Sequence, residues 1–163
     1  MDLNFLKNVN LVKELTTQEL KIFSSKLKTV KYKENEFLIE ENKDSDKLFI
    51  LFKGKVIISK KITMIDEQEK IDKTFISLCA DDYAFFGEIG LLGLQKRTAT
   101  CRAKTECTLY TIDHKDFMSI CKLNPEIGFK MLLEIARKLS GLLEKTNEDV
   151  LKLTTALIYA LKS

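Results

Sequence analysis

Apolar and polar positions alternate with three different periods along the chain. Behind Thr16-Thr17-Gln18-Glu19, the residues Leu20, Phe23 and Leu27 recur at helical spacing, so residues 1 to about 28 read as helical with one buried face. The tetrad is a capping box, in which the Thr16 hydroxyl accepts from an orphan amide and Glu19 reaches back. From about 28 to 113 the pattern shortens to KTVKYK, EFLIE, KLFILF, KVIISKKI, TFISLC, TATCRA and CTLYTID, rich in Val, Ile, Phe, Thr and Tyr. Polar turns at Glu34-Asn35, Glu41-Asn42-Lys43-Asp44 and Lys53-Gly54 separate them. Many short strands with no crossover helices predict an antiparallel sandwich or roll. From 114 the chain is helical to its end, and Asn124-Pro125-Glu126 marks a helix start, with Asn as cap and Pro in the first turn.

Beyond that start, Leu132, Ile135, Leu139, Leu142, Thr146, Val150, Leu153, Leu157 and Leu161 step by three or four residues. They form a long apolar seam on one helix or on two abutting helices, with Gly141 as the expected joint. A small roll cannot cover the whole seam. The expected partner for its far end is a second copy, in coiled-coil fashion. The alternative is a seam that folds back entirely on its own domain.

One segment interrupts the strand pattern. FFGEIGLLGLQKRTAT, residues 85 to 100, carries Ile89, Leu91, Leu92 and Leu94 after a turn and reads as a short helix between two strands. Gly87-Glu88 opens it and Arg97 closes it. Amides at the start of such a helix lack intrahelical partners and favour an anion. Glycine at 87 lets the backbone approach a ligand closely. Arg97 offers a planar donor fork suited to phosphate, whereas a carboxylate such as Glu88 accepts from a hydroxyl like a ribose 2'-OH. These groups together describe a sugar-phosphate site. The alternative is a Glu88–Arg97 salt bridge tying off a loop, worth about 0–1 kcal/mol if exposed.

Composition narrows the classes. A chain of 163 residues, 45% hydrophobic and 31% charged, suits one soluble globular domain. The net charge of +3 (27 minus 24) is too small to indicate a nucleic acid or acidic membrane partner. Lys60-Lys61 and Lys26, Lys28, Lys31 and Lys33 are expected on solvated faces. Cys79, Cys101, Cys107 and Cys121 show no paired spacing, so no metal site is expected, and reduced thiols in a cytoplasmic protein fit better. MDLNFLKNVNLVKEL has no continuous apolar core of a signal peptide, and no stretch reaches the length of a membrane span. His114, the only histidine, stands at a helix start with no nucleophile–base set, so it reads as a surface residue and the chain as no enzyme.

FGEIGLL followed by RTAT and then by AKTECTLYTID resembles the phosphate-binding cassette of the cyclic nucleotide-binding domain family. The nine-residue step from Glu88 to Arg97 and the downstream strand pair occur in order, and the likeness covers nearly the whole chain. The resemblance implies a mainly β fold: an antiparallel, jelly-roll-like β-roll with an N-terminal helix, a short cassette helix and long C-terminal helices. Residues 1–124 would be the N-terminal helix and roll, with the cassette at 86–100, and 125–163 the C-terminal lid and dimerisation helices of the same domain. It further implies that Glu88 accepts from the ribose 2'-OH and Arg97 pairs with a phosphate oxygen. The backbone around Gly87, Ile89 and Gly90 would cap the phosphate, Thr98 and Ala99 would complete the pocket, and Phe86 would be a further ligand-binding residue. Leu142 and Leu143 fall where the catabolite-activator type places adenine-reading hydroxyls, so the purine cover is expected to be apolar, with Thr146 as a polar contact. Threonine after the cassette arginine is associated with cGMP in the family, yet some channels with the same R-T-A prefer cAMP; the expected ligand is cAMP, or else cGMP, with no other cofactor.

Three departures accompany the likeness. Asn35 and Asn42 stand where the family usually has glycine, and asparagine tolerates left-handed backbone best among the other residues. Asp81-Asp82-Tyr83-Ala84-Phe85 enters the cassette with about two residues more than usual. The chain ends at Ser163, where bacterial transcription factors of the family continue into a winged helix-turn-helix. The expected function is therefore a cyclic nucleotide sensor that signals by moving its C-terminal helix, dimerises through it, meets an unknown protein partner and binds no DNA by itself. The alternatives are the sensor part of a catabolite-activator-type regulator and a non-binding dimerisation module.

Overall fold

Two four-stranded antiparallel sheets face each other, and the helices gather against one of them. This computed structural model describes residues 1–63, 70–93 and 96–162, with the backbone alone at 61–63 and 70–75. The first sheet joins β1 (Lys28–Tyr32), β8 (Cys107–Asp113), β3 (Lys47–Lys53) and β6 (Phe85–Phe86) in that order. The second joins β2 (Phe37–Ile39), β7 (Thr100–Ala103), β4 (Lys55–Thr63) and β5 (Lys70–Cys79). β5 begins four residues before the expected TFISLC segment. This is the antiparallel β-roll with flanking helices that the sequence implied.

The middle of β3 explains the layering. Leu48, Phe49, Ile50 and Leu51 are all buried, and alternate side chains enter different cores. Phe49 and Leu51 join Val56, Cys101, Ala103 and Leu109 between the sheets. Leu48 and Ile50 point the other way, to Phe23, Phe117, Ile127 and Met131 of the helices. β1 lies at the edge, with Lys28 and Lys31 exposed and Val30 and Tyr32 half-buried. Lysines on an edge strand discourage pairing with another chain.

Helix α2 (Thr17–Ser25) starts at the expected capping box: the Glu19 amide donates to Thr16 Oγ1 at 3.3 Å, and the Thr16 amide to Glu19 Oε2 at 2.7 Å. The single N-terminal helix expected over residues 1 to 28 is instead three pieces, namely α1 (Leu3–Leu6), a 3-10 turn at Asn10–Val12 and α2. The buried residues before α2 are Leu6, Val9, Leu11, Val12 and Leu15, whose spacing fits no single helical stripe. Asn35 and Asn42 take φ of 69° and 66°, the left-handed conformation that asparagine tolerates.

Helix α3 (Glu88–Gly93) is the expected cassette helix; Leu94, also assigned to it, lies outside the described residues, as does Ser163. Asp113 caps α4 (His114–Leu123) by accepting from the Asp116 amide. His114 departs from its surface reading: it is half-buried, and Nδ1 lies 2.6 Å from the Leu91 carbonyl of α3. α5 (Pro125–Lys162) is one continuous helix of 38 residues, about 57 Å long at 1.5 Å per residue. Gly141 is no joint, since an exposed helical glycine costs only about 1 kcal/mol against alanine and continuing the helix is the easier course. Nor does the apolar seam fold back on the domain. Ile127, Met131 and Ile135 enter the helical core, but every residue from Ser140 to Lys162 is exposed. Among the described residues no helix is long and apolar enough to cross a membrane.

Candidate functional site

Strand β6 delivers the chain to Gly87, whose φ of +89° turns it into α3. An added Cβ at Gly87 would stand 2.7 Å from the Lys47 carbonyl oxygen and 3.0 Å from Arg97 Nη1. At Gly90, it would stand 2.6 Å from both Arg97 Nη1 and the Ser45 carbonyl oxygen. Both glycines therefore exist to let the backbone close on Arg97.

Arg97 is held from all sides. Its amide donates to Lys43 O at 3.0 Å, and its carbonyl accepts from the Asn42 amide at 2.9 Å. Nη1 donates to Gly87 O at 2.9 Å, and Nη2 to Ser45 Oγ at 2.7 Å and Lys47 O at 2.5 Å. The side chain is 4% exposed, and burial pushes its pKa below the ordinary value against the opposing pull of Asp46 and Glu88. Its Nε has no partner.

Glu88 is equally buried, at 5% exposure, and does not pair with Arg97. Its charge partner is Lys138 of α5, whose Nζ lies 3.1 Å from Oε2. That Nζ also donates to the Phe85 carbonyl at 2.6 Å and sits 4.2 Å above the Phe85 ring. An ammonium has three N–H donors, so it can serve the carbonyl and the carboxylate together. Among the described residues, Arg97 Nε is a buried side-chain nitrogen without a hydrogen-bond partner. Such an atom is costly unless something completes it.

Glu88 and Arg97 both line one cavity of about 760 Å³. Of the candidate residues, Phe86, Gly87, Glu88, Ile89, Gly90, Arg97, Thr98, Ala99 and Leu142 border it. Ile39, Ile58, Ile76, Leu78 and Cys101 supply an apolar wall from the second sheet. Burial pushes the Cys101 thiol up to about 12, which makes it an inert hydrophobe there. Leu143 and Thr146 are not brought to the cavity. Leu143 is 62% exposed on the helix surface, and Thr146 Oγ1 donates to the Leu142 carbonyl of its own helix. The reason is geometric, because a straight helix turns about 100° per residue and leaves the body just after Leu142.

Several groups at or behind the cavity wall have no counterpart in the sequence reading. Lys138 stands four residues before Leu142, so helical spacing alone could have placed it on the same face. Ser45 and the Lys47 carbonyl carry no local signal, since only the fold brings them to Arg97. Glu134 is 5% exposed and gathers Lys13 at 3.2 Å, from the N-terminal segment, and Arg137 at the cavity's rim. Among the described residues no group of three potential ligands could hold a metal ion.

The cyclic nucleotide-binding domain model matches residues 29–124, which hold both sheets except the first residue of β1, the cassette and α4. This chain belongs to the cyclic nucleotide-binding domain family. A curated relative, the cAMP-activated global transcriptional regulator CRP of Escherichia coli, is 31% identical over 134 residues, covering 82% of this chain and 60% of that protein. The chain thus spans about 60% of the length of such relatives. A cGMP-dependent protein kinase of Drosophila melanogaster is 29% identical over 126 residues, covering 76% of this chain and 13% of the kinase. The fold is shared with a crystallised cyclic nucleotide-binding domain from Methylobacillus flagellatus, with a TM-score of 0.76 at 18% identity over 91% of this chain and 80% of that one.

Proposed function

We propose that this chain is a cyclic nucleotide sensor that takes cAMP or cGMP into the cassette cavity and signals through α5. The observation that carries the reading is that Glu88 and Arg97, both buried, line one cavity without pairing with each other. Lys138 Nζ lies 3.1 Å from Glu88 Oε2, and Arg97 Nε lacks an acceptor. A ribose 2'-OH donates to the carboxylate and a cyclic phosphate accepts from the guanidinium, so one ligand engages both. Gly87, Ile89 and Gly90 present backbone to the phosphate, Thr98 and Ala99 close its side, and Phe86 and Leu142 give apolar cover. The roll at 1–124 holds the ligand, and 125–163 serves as lid and dimerisation element.

Lys138 links the two parts, because it is the α5 side chain that touches Glu88 and Phe85. A ligand that engages Glu88 changes the balance of that contact and so favours one position of α5 over another. Leu143 and Thr146 reach a bound purine only in an α5 position other than the one seen. The exposed row Leu132, Leu143, Val150, Leu153 and Leu157 pairs with the same row of a second copy. The reading assigns no chemical step to the chain and places it in the cytoplasm, in keeping with its free thiols.

Titration calorimetry with cAMP and with cGMP tests the assignment. Arg97→Ala should lower affinity by ten-fold or more, the loss of one charge-assisted contact of about 1.5–3 kcal/mol. No heat at millimolar ligand with folded protein, or equal affinity in the variant, refutes it. A second reading, the sensor part of a catabolite-activator-type regulator, is favoured by the match to CRP over 82% of this chain. A gel shift of the protein as isolated from its native cells, with random duplex DNA and with and without cAMP, separates the two: a cAMP-dependent shift by a chain longer than this one supports the regulator.

A further inference from the structure

Two apolar rows run along the exposed half of α5. The first joins Leu143, Val150 and Leu157 to Leu139, Thr146, Leu153 and Ala160, the a and d pattern of a paired coiled coil. The second begins only at Leu151 and runs Leu151, Thr154, Ile158 and Leu161, with steps of three, four and three. One and two heptads earlier, its positions hold Glu144, Asn147, Arg137 and Ser140, which are all polar. The second row is therefore confined to the distal end of the helix.

Leu151 is 68% exposed, Ile158 48% and Leu161 78%. The two rows are offset by one residue and occupy adjacent faces, and a two-stranded coiled coil covers only one of them. A helix apolar on two faces belongs inside a bundle. From Val150 to Lys162 the only charged residues are Lys152 and Lys162, and Lys152 turns back to Glu148 at 3.7 Å and Asp149 at 3.8 Å on its own helix. No charge therefore opposes close approach along the second row.

We propose that residues 151–161 of four copies form a four-helix bundle. Two dimers, each closed along the first row, meet through Leu151, Thr154, Ile158 and Leu161, giving a dimer of dimers. With roughly 100 Å² hidden per large apolar side chain, Leu151, Ile158 and Leu161 of four helices bury on the order of 1,200 Å² in total, the lower bound of a specific interface. The inference rests on the dimer of the proposed function, and its test separates the two.

Sedimentation equilibrium of the full chain over a wide concentration range should give the mass of a tetramer. The double variant Leu151→Glu/Ile158→Glu should fall to a dimer with unchanged thermal unfolding of the β-roll, since both side chains are free of the domain body. Leu153→Glu/Leu157→Glu, on the first row, should instead reduce the chain to monomers. A wild-type chain that stops at the dimer overturns the bundle and leaves the dimer standing. A wild-type monomer overturns both, and a tetramer that survives Leu151→Glu/Ile158→Glu overturns the assigned face.

Discussion

Replacing Gly90 by alanine sets a favourable local effect against an unfavourable tertiary one. In a helix, alanine is preferred to glycine by about 1 kcal/mol. Here the new Cβ would lie 2.6 Å from the Ser45 carbonyl oxygen, 2.6 Å from Arg97 Nη1 and 2.8 Å from Arg97 Cζ. Neither neighbour yields easily, because one is backbone and the other is a buried guanidinium held by Gly87, Ser45 and Lys47. Overpacking of this kind costs about 1–3 kcal/mol, and a displaced hydrogen bond to a charged group about 1.5–3 kcal/mol more. The net expectation is a destabilisation of about 1.5–5 kcal/mol, read as a lower urea midpoint at unchanged slope. Because Arg97 is the group displaced, cyclic nucleotide affinity should drop by roughly ten-fold or more in calorimetry. Gly141→Ala is the internal control, as nothing lies within 4 Å of its Cβ position. It should raise the helical stability of α5 by about 0.5–1 kcal/mol. A Gly90→Ala protein that is more stable than wild type and binds as well would refute the packing argument outright.

Other outcomes follow from the same contacts. Lys138→Met keeps the apolar stem but strips the Phe85 carbonyl and Glu88 of their cation, and should cost about 1–3 kcal/mol in urea unfolding. In a double-mutant cycle with Glu88→Gln, the two changes should be non-additive by more than about 0.5 kcal/mol; additivity would deny the contact any energetic weight. Burial pushes the Glu134 carboxyl upward, but hydrogen bonds from Arg137 and Lys13 outweigh it and hold the pKa below the ordinary 4.5. A group depressed in the folded state contributes stability above its unfolded pKa and loses it as pH falls through the folded one. Wild type should therefore lose more stability below pH 4.5 than Glu134→Gln does, and parallel acid curves would show that Glu134 contributes nothing. Thr16→Ala removes one arm of the capping box and should lower stability by about 1 kcal/mol, with ligand affinity unchanged.

Much of the site was legible because its chemistry is local. Gly87, Glu88 and Arg97 lie within eleven residues, so a glycine turn, an acceptor and a donor fork could be recognised together. Their partners could not be. Ser45 lies 52 residues from Arg97, and Lys138 lies 50 residues beyond Glu88. Whether Glu88 and Arg97 would neutralise each other depended on those distant groups, which separate them by giving each its own partner.

The sequence by itself determined the elements. Periodicity located the strands other than β6 (Phe85–Phe86), the Thr16 and Asn124 starts marked two helices, and asparagine at 35 and 42 was compatible with left-handed turns, because propensity, capping and backbone sterics act over a few residues. Only the tertiary structure decided that the N-terminal region breaks into three pieces, since the buried positions from Leu6 to Leu15 answer to a core that no local pattern contains. It also decided that α5 passes Gly141 without a joint and leaves the body after Leu142. The contacts of α5 with the body end there, and about 30 Å of helix at 1.5 Å per residue stands exposed.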